Sequence, residues 1–292
     1  MSTYRSFAKV NLHLEVVARR PDGYHELRTI FQTVSLCDLL GVAVEGRGVD
    51  LRVRGLPVPA GEENLAHRAA AAYLDAFDGP RGVRLTLDKR IPVAAGLGGG
   101  SSNAATVLMA LRDLTGVPDA VDDLTPLAAR LGADVPYFLV GGTALGRGRG
   151  DEVEPLPDLE EEDLLLITPP VAVATAEVFH SGRLVARTEP HSVLAAVRRG
   201  GVRDVGSAIG VNDLEPAVLG LYEEVRAVYT RLVQSGAKRV LLSGSGGTVF
   251  ALRPASWDER LLAASMPARS TIFRAQTLSR ASVAARRVVG PG

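Results

Sequence analysis

The sequence predicts an α+β fold in two domains. The chain has 292 residues, more than a single domain usually contains. Segments with the alternating apolar residues of strands are mixed with segments of helical spacing, without a regular strand–helix–strand period. Residues 151–163 are acidic and contain prolines, which is typical of a domain boundary. We therefore expect an N-terminal domain at residues 1–157 and a C-terminal domain at residues 158–292.

The N-terminal half begins with a predicted strand at residues 6–17, in which the apolar residues largely alternate. A turn is predicted at residues 19–23, because proline fixes its φ angle and Asp-Gly accepts unusual backbone angles. The other predicted elements are one strand or a pair of strands at 30–44, strands at 83–87 and 139–145, helices at 65–77 and 124–131, and a helix directly after the glycine-rich loop at 96–100.

The C-terminal half continues the mixed pattern. Strands are predicted at 164–167, 239–242 and 249–252, and helices at 192–198 and 219–233. The last two strands are joined by a second glycine-rich loop at 243–247, which by itself is explained as a hairpin turn.

Composition argues against several classes of protein. The chain has 33 basic and 33 acidic residues, so its formal net charge is zero. Nucleic-acid-binding proteins usually carry a basic excess, because phosphate neutralisation supplies most of their affinity. We therefore expect no nucleic-acid partner. Cys37 is the only cysteine, which excludes an intramolecular disulfide and a cysteine metal cluster.

Targeting signals are not evident in the sequence. No long apolar core follows the N-terminus, so we expect no secretory signal. The most apolar stretch, residues 164–179, is interrupted by Pro169 and Pro170 and is too short to span a bilayer. The expectation is a cytoplasmic protein with no membrane partner.

Lysine is rare in this chain. Only Lys9, Lys89 and Lys238 are lysines, against 30 arginines, which indicates a coding bias towards arginine. A lysine that persists in such a chain is more informative, because its compact charge differs from the planar arginine fork. The histidines His13, His67, His180 and His191 lack metal-ligand spacing and are predicted to be structural or at the surface. The glycine-rich loop at 146–150 is predicted to be a solvent-exposed loop, with anion binding through Arg147 and Arg149 as the alternative.

The strongest chemical signal is a glycine-rich run that opens a predicted helix. Glycines let the backbone turn tightly and approach a ligand, and a helix N-terminus offers unpaired N–H groups to a phosphate. The hydroxyls of Ser101 and Ser102 would add hydrogen bonds or reach Mg²⁺, or would cap the helix together with Asn103. A tight turn before a capped helix is the alternative. The residues expected to bind a nucleotide are Pro92, Val93, Ala94, Ala95, Gly96, Leu97, Gly98, Gly99, Gly100, Ser101 and Ser102.

Two other phosphate-binding loops fit this run poorly. A Walker-type loop needs a lysine after its last glycine, and none is present. A dinucleotide fingerprint needs a third glycine where Ser101 stands, and an acidic residue about 20 positions on at the end of a strand. A dinucleotide-dependent oxidoreductase is therefore a weak alternative.

Three segments in order resemble one family. The run 92–102, the strand segment Ala8-Lys9-Val10-Asn11-Leu12 and the loop 242–250 are similar to the three motifs of the kinase superfamily that includes galactokinase, homoserine kinase, mevalonate kinase and phosphomevalonate kinase. The resemblance implies a ribosomal-protein-like N-terminal domain and a ferredoxin-like C-terminal domain, with the active site in the cleft between them. It also implies ATP as phosphate donor, with Mg²⁺.

Two more segments narrow the resemblance. Residues 20–27, which contain Asp22-Gly23-Tyr24-His25, and residues 132–138 resemble the branch that phosphorylates the 2-hydroxyl of a cytidine-diphosphate-linked methylerythritol. In that branch Asp134 would be the catalytic base and Lys9 its partner. Considered without the resemblance, Asp134 is better explained as a helix cap and Lys9 as a surface lysine. A homoserine- or mevalonate-type kinase is the nearest alternative.

The same resemblance assigns the substrate-binding residues. Tyr24 and His25 would hold the cytosine ring, and Phe179 would lie on its other side, with core packing as the alternative for Phe179. Asn11, on the strand face of Lys9, would contact the substrate. The second glycine-rich loop would shape the phosphate end of the substrate site through Gly244, Ser245 and Gly246.

Overall fold

The structure is a computed structural model that describes residues 1–78, 81–117, 121–184, 186, 189–252 and 259–291. Its strands form two sheets. They are β1 (Ser2–Arg19), β2 (His25–Val44), β3 (Gly48–Gly55), β4 (Gly82–Lys89), β5 (Thr143–Gly148), β6 (Glu152–Pro155), β7 (Asp163–Thr168), β8 (Lys238–Leu242), β9 (Val249–Leu252), β10 (Thr271–Gln276) and β11 (Val288–Pro291).

The helices lie between these strands. They are α1 (Leu65–Ala76), α2 (Gly99–Thr115), α3 (Thr125–Leu131), α4 (Val135–Val140), α5 (Thr175–His180), α6 (Ser192–Arg198), α7 (Val205–Ala208), α8 (Glu215–Leu221), α9 (Glu223–Gln234), α10 (Glu259–Ser265) and α11 (Arg280–Arg287), with a 3-10 turn at Val121–Leu124. No helix in the described ranges combines the length and apolarity needed to cross a membrane.

The first sheet has the strand order β11-β1-β2-β4-β3, and β5 pairs with both β2 and β6. The long strands β1 and β2 are antiparallel neighbours joined by the predicted turn, in which the N–H of Arg20 donates to the carbonyl of Tyr24 at 2.8 Å. Helix α2 buries Val107, Leu108 and Leu111 against this sheet and its neighbouring helices. The centre of β1 is thereby fixed beside the start of α2.

The second sheet has the antiparallel order β10-β7-β9-β8. It shares a hydrophobic core with the first sheet, in which Ala8, Val10 and Leu12 of β1 cluster with Leu164 and Leu166 of β7. Each of these five side chains is fully buried. The shared core places the loop between β8 and β9 next to the glycine-rich loop before α2.

The strand predicted at 139–145 is wrong in its position. Leu139 and Val140 end α4, and β5 begins only at Thr143. Gly141 and Gly142 have φ angles of 67° and 65°, which end the helix and redirect the chain. A short apolar run does not distinguish a helix end from a strand start, so periodicity misplaces this boundary.

Other elements also differ from the prediction. Strands β3, β6, β10 and β11 were not predicted, and β6 lies inside the acidic segment assigned to the domain boundary. The helix predicted at 219–233 is two helices that meet at Tyr222, which has the extended angles φ −118° and ψ 103°. Strand β11 returns to pair with β1 of the first sheet. The division of the chain at residue 157 stays a prediction.

Candidate active site

Lys9 and Asp134 face each other at the centre of the molecule. Lys9 projects from the buried middle of β1, and its Nζ lies 3.5 Å from Oδ2 of Asp134, which directly precedes α4. The Nζ of Lys9 also donates to Oδ1 of Asn11 at 2.6 Å and lies 5.6 Å from the centroid of the Phe31 ring. Lys9 thus places its positive charge directly against the carboxylate of Asp134.

The alternative role of Asp134 as a helix cap is not supported. Asp134 stands at the N-cap position of α4, but its side chain accepts no capping hydrogen bond. About a third of the side chain is exposed (33%), whereas only 5% of the Lys9 side chain is exposed. The carboxylate is thus held at an opening of the protein by Lys9 and remains accessible to a ligand.

The opening next to this pair is a cavity of about 880 Å³, which we call the first cavity. Lys9, Asn11 and Asp134 lie on its wall together with the predicted base-binding residues Tyr24 and His25. The other residues that line it are Leu14, Asp22, Gly23, Leu27, Thr29, Phe31, Ala129, Arg130, Leu131, Gly132, Ala133, Arg149, Gly150, Thr175, Ala176, Phe179, His180, Leu214, Gly244 and Ser245.

Aromatic rings form one side of the first cavity. The rings of His25 and Phe179 are stacked with centroids 5.0 Å apart and an interplanar angle of 27°. The Tyr24 side chain is exposed, and the Arg149 guanidinium lies 5.2 Å from its ring centroid, held there by Asp151. Burial lowers the pKa of His25, and Arg19 lowers it further, which favours the neutral imidazole. These rings offer flat apolar faces and a neutral hydrogen-bonding edge.

A second cavity of about 320 Å³ lies along the glycine-rich loop. Residues 92–101 line it, and so do Asn64 and Leu65 at the start of α1. Helix α2 begins at Gly99, after Gly98 at a left-handed φ of 67°. The first N–H groups of a helix have no partner within it, so this end of α2 presents donors to the second cavity.

The glycine-rich loop is anchored by two other segments, β1 and the second glycine-rich loop with its flanking residue Thr248. The N–H of Lys9 donates to the carbonyl of Leu97 at 3.0 Å, and the N–H of Thr248 donates to that of Ala95 at 3.1 Å. The hydroxyl of Ser243 donates to the carbonyl of Gly96 at 2.9 Å. The loop therefore lines the second cavity and is held by β1 and by the second glycine-rich loop, both of which also line the first cavity.

Residues of the second glycine-rich loop reach Lys9 and Asn11. A Cβ atom on Gly244, which has a φ angle of 57°, would lie 3.1 Å from Oδ1 of Asn11 and 3.3 Å from Nζ of Lys9. The hydroxyl of Ser245 lies 2.8 Å from that of Thr175, at the wall of the first cavity. Gly246 lies deeper, where its backbone packs directly against Gly96. Gly246 shapes the site but does not line either cavity.

The predicted nucleotide contact of Ser102 is not supported. Its hydroxyl is buried, donates to the carbonyl of Phe7 at 2.6 Å and lies 2.7 Å from the hydroxyl of Ser6. Its N–H donates to the carbonyl of Gly98 within the helix. Neither Ser101, Ser102 nor Asn103 caps α2, because the helix starts earlier than the capping signal suggested. Ser101 does line the second cavity.

A buried polar cluster supports the start of α2. The Nζ of Lys89 contacts Oδ2 of Asp38 and donates to Oδ1 of Asn103 at 3.2 Å. Asp38 accepts N–H bonds from Arg90 and Ile91, so the carboxylate also fixes the chain that leads into the glycine-rich loop. Burial lowers the pKa of Lys89, although its contact with Asp38 opposes the shift. The cluster is a structural support under the second cavity.

Several lining residues were not predicted from the sequence. Thr29 and Phe31 of β2, and Arg130 and Arg149, line the first cavity. Their signals are those of ordinary strand and surface residues, so only the folded arrangement identifies them. Across the residues that the structure describes, no group of three histidine, cysteine or acidic side chains is arranged to hold a metal.

Comparison with known proteins gives a consistent result. Residues 64–142 match the GHMP kinases N terminal domain, and residues 193–260 match the GHMP kinases C terminal domain. The 4-diphosphocytidyl-2-C-methyl-D-erythritol kinase of Moorella thermoacetica is 44% identical over 254 residues, covering 85% of this chain and 88% of the relative. The enzyme of the same name from Geobacter metallireducens is 39% identical and covers 93% and 96%.

Solved structures support the same relationship. A crystal structure of 4-(cytidine 5'-diphospho)-2C-methyl-D-erythritol kinase has a TM-score of 0.76 and 39% identity, covering 94% of this chain and 98% of the other. Mevalonate kinase from L. major has a TM-score of 0.68 at 16% identity, covering 96% of each chain, which shows a shared fold alone. The chain therefore belongs to the GHMP kinases, in the family of the 4-diphosphocytidyl-2-C-methyl-D-erythritol kinases.

Proposed function

We propose that this protein uses ATP to phosphorylate the 2-hydroxyl of 4-diphosphocytidyl-2-C-methyl-D-erythritol. The products are the 2-phosphate and ADP, in the non-mevalonate pathway to isoprenoid precursors. The observation that carries the proposal is the Lys9–Asp134 pair, 3.5 Å apart between a glycine-rich helix start and a cavity walled by aromatic rings. We also place this reaction, which consumes ATP, in the cytoplasm.

The glycine-rich loop supplies the nucleotide side of the reaction. The triphosphate of ATP would lie along residues 96–101, where unpaired N–H groups at the start of α2 favour negative charge. Gly98 and Gly99 leave no room for side chains: a Cβ on Gly98 would lie 2.8 Å from Phe138. The remaining wall of the second cavity, around Val58, Asn64 and Leu65, is available to the base and sugar.

Asp134 and Lys9 supply the transfer chemistry. The carboxylate of Asp134 would accept the proton of the 2-hydroxyl as the hydroxyl oxygen bonds to the γ-phosphorus. The bond from that phosphorus to the β–γ bridging oxygen breaks, and ADP leaves with the electron pair. Lys9 would orient Asp134 and offset the negative charge that gathers on the transferring group.

Magnesium fits the donors at this site. Mg²⁺ is usually bound by substrate phosphates and water with few protein ligands, so a prearranged cluster of carboxylates is not required. The hydroxyl of Ser101 and the carboxylate of Glu63 both line the second cavity and are the candidate protein ligands. When bound, Mg²⁺ neutralises charge on the triphosphate.

The aromatic side of the first cavity would bind the cytosine. Tyr24 provides one exposed ring, and the stacked rings of His25 and Phe179 provide a second aromatic surface. Base–aromatic stacking is worth about 1–3 kcal/mol per base. Neither homoserine nor mevalonate has a ring to use these surfaces, so the first cavity favours the cytidine-linked substrate over the substrates of other kinases with this fold.

A substrate panel tests the proposal. Purified protein is mixed with Mg-ATP and 4-diphosphocytidyl-2-C-methyl-D-erythritol, homoserine or mevalonate, and ADP release is measured. Turnover above the ATP-only background with the cytidine-linked substrate alone would support the proposal. Folded protein that binds ATP but releases ADP equally with and without that substrate would refute it.

A further inference from the structure

A chain of buried hydrogen bonds leads from the catalytic pair into the sheet. Lys9 donates to Oδ1 of Asn11 at 2.6 Å, and Nδ2 of Asn11 donates to Oγ1 of Thr29 at 2.7 Å. The hydroxyl of Thr29 then donates to the backbone carbonyl of His13 at 2.7 Å. Asn11 and Thr29 are almost completely buried, with 2% and 1% of their surfaces exposed.

The chemistry of its two ends fixes the direction of every bond in this chain. A lysine ammonium has only donors, so Asn11 must turn its oxygen towards Lys9. A backbone carbonyl has only lone pairs, so Thr29 must give its single proton to His13. The lone pairs of Thr29 are then left for the amide nitrogen of Asn11. Reversing the Asn11 amide would bring two donors together at Lys9.

A bulge in the β1–β2 pairing creates this arrangement. Asn11 pairs with Phe31 and His13 pairs with Ile30, so Leu12 is an extra residue on β1. The bulge occurs between Asn11 and His13, the two residues that Thr29 joins. Thr29 itself pairs with Leu14, one step beyond the bulge. Its hydroxyl reaches back across the irregularity and connects the residues on its two sides.

We propose that Thr29 is a positioning residue for phosphoryl transfer, which rests on the function proposed above. It holds the Asn11 amide in the orientation that presents an acceptor to Lys9, and so fixes the ammonium against Asp134. Thr29 also lines the first cavity. Its effect is therefore expected on the chemical step and not on ATP binding.

Thr29→Val tests the proposal, because valine keeps the shape of threonine and removes the hydroxyl. We expect kcat to fall about 10- to 100-fold, since small displacements of catalytic groups have effects of this size. The KM for ATP should stay within about twofold of wild type. Thr29→Ser restores the hydroxyl and should recover kcat to within about threefold of wild type.

A second buried threonine provides the matched control. Thr277, in the second half of the chain, accepts an N–H from Glu162 at 2.8 Å and is 1% exposed. Thr277→Val should lower thermal stability in the same way as Thr29→Val while leaving kcat unchanged. If Thr29→Val does not fold, Thr29→Ala is compared with Thr29→Ser, which differs from it only by the hydroxyl.

The outcomes separate this inference from the proposed function. A wild-type protein without turnover would refute the function itself. With active wild type, a kcat of Thr29→Val within about threefold of wild type would overturn the inference. A Thr29→Ser kcat as low as that of Thr29→Val would also overturn it, since packing and not the hydroxyl would then be responsible.

Discussion

At the scale of single residues, two of the three lysines line the two cavities, Lys9 the first and Lys89 the second. Lys9 and Lys89 are each 4% exposed, and each contacts a carboxylate, that of Asp134 and that of Asp38. Burying an unpaired ammonium is costly, so each lysine needs its partner. The pairs differ in access: Asp38 is fully buried, whereas Asp134 opens to the first cavity. The accessible carboxylate is suited to chemistry and the buried one to support.

The site residues that lie in distinctive motifs are predictable from the sequence. Residues that act by fixing the direction of a hydrogen bond are not. Lys9, Asp134, Tyr24 and His25 lie in short recognisable runs, and the structure brings them to one cavity. Thr29 could not be found in this way, because a threonine in a strand pattern is ordinary. Its importance depends on the bulge at Leu12, which is a property of the pairing of two strands.

Tyr24→Ala gives a prediction at this scale. The ring is 57% exposed, so its removal should leave thermal stability unchanged. Loss of a stacking surface worth about 1–3 kcal/mol should raise the KM for the cytidine-linked substrate roughly 10- to 100-fold. The KM for ATP should not change, and Tyr24→Phe, which keeps the ring, should resemble wild type. An equal rise in both KM values would contradict the assignment of this ring to the cytosine.

At the scale of elements, the two glycine-rich loops form one unit. The backbones of Gly96 and Gly246 pack so closely that a side chain on either would overlap the other loop. The sequence predicted both loops and the helix after the first one. It did not predict their contact, because the two loops lie about 150 residues apart and meet only through the shared core of the two sheets.

Gly96→Ala tests this contact against Gly100→Ala in the same segment. Gly96 has a φ angle of 78°, and its added Cβ would overlap the carbonyl of Ser243. We expect its free energy of unfolding to fall by at least about 2 kcal/mol. A Cβ on Gly100, within α2, meets only Leu65 at 3.4 Å, so stability should stay the same or rise by up to about 1 kcal/mol.

Urea unfolding of the two variants measures this difference. Equal stability of Gly96→Ala and Gly100→Ala would show that the two loops do not pack as closely as described.

At the scale of the whole molecule, a peptide segment links the two halves at the β1 bulge. The N–H of Gly210 donates to the carbonyl of Leu12 at 2.9 Å, and that of Leu14 donates to the carbonyl of Val211 at 2.8 Å. His13 is fully buried at this junction, and its Nδ1 accepts the N–H of Val211 at 3.1 Å. The bulge at Leu12 thus lies both in the hydrogen-bond chain that runs from Lys9 to the carbonyl of His13 and in the contact between the two halves.

The junction predicts a pH dependence of stability. Burial lowers the pKa of His13 to about 4, although Glu15 nearby acts in the opposite direction. The unfolded chain, with a histidine pKa near about 6.5, then binds more protons between these values. Stability is therefore lost as the pH falls through this window, by roughly 2 kcal/mol between about pH 7 and pH 5.

His13→Asn isolates this contribution, because its amide oxygen replaces the acceptor at Nδ1. Urea unfolding at the two pH values should show a drop in wild type that is about 2 kcal/mol larger than in the variant. His67→Asn, on α1, controls for loss of an imidazole outside the junction. Parallel pH profiles for wild type and His13→Asn would contradict the role of His13.

The most direct test of the proposed chemistry is Asp134→Asn, assayed for phosphorylation of 4-diphosphocytidyl-2-C-methyl-D-erythritol. The change keeps the size of the side chain but removes its negative charge, and with it the ion pair with Lys9 and the ability to accept the proton. Asp134 makes no capping hydrogen bond and Lys9 keeps its bond to Asn11, so the variant should fold with somewhat lower stability and still bind ATP. We expect the kcat of the variant to fall by about 10²- to 10⁴-fold. The product made by the wild-type protein should carry the new phosphate on the 2-hydroxyl. A folded Asp134→Asn protein with a kcat near that of wild type would show that another group accepts the proton.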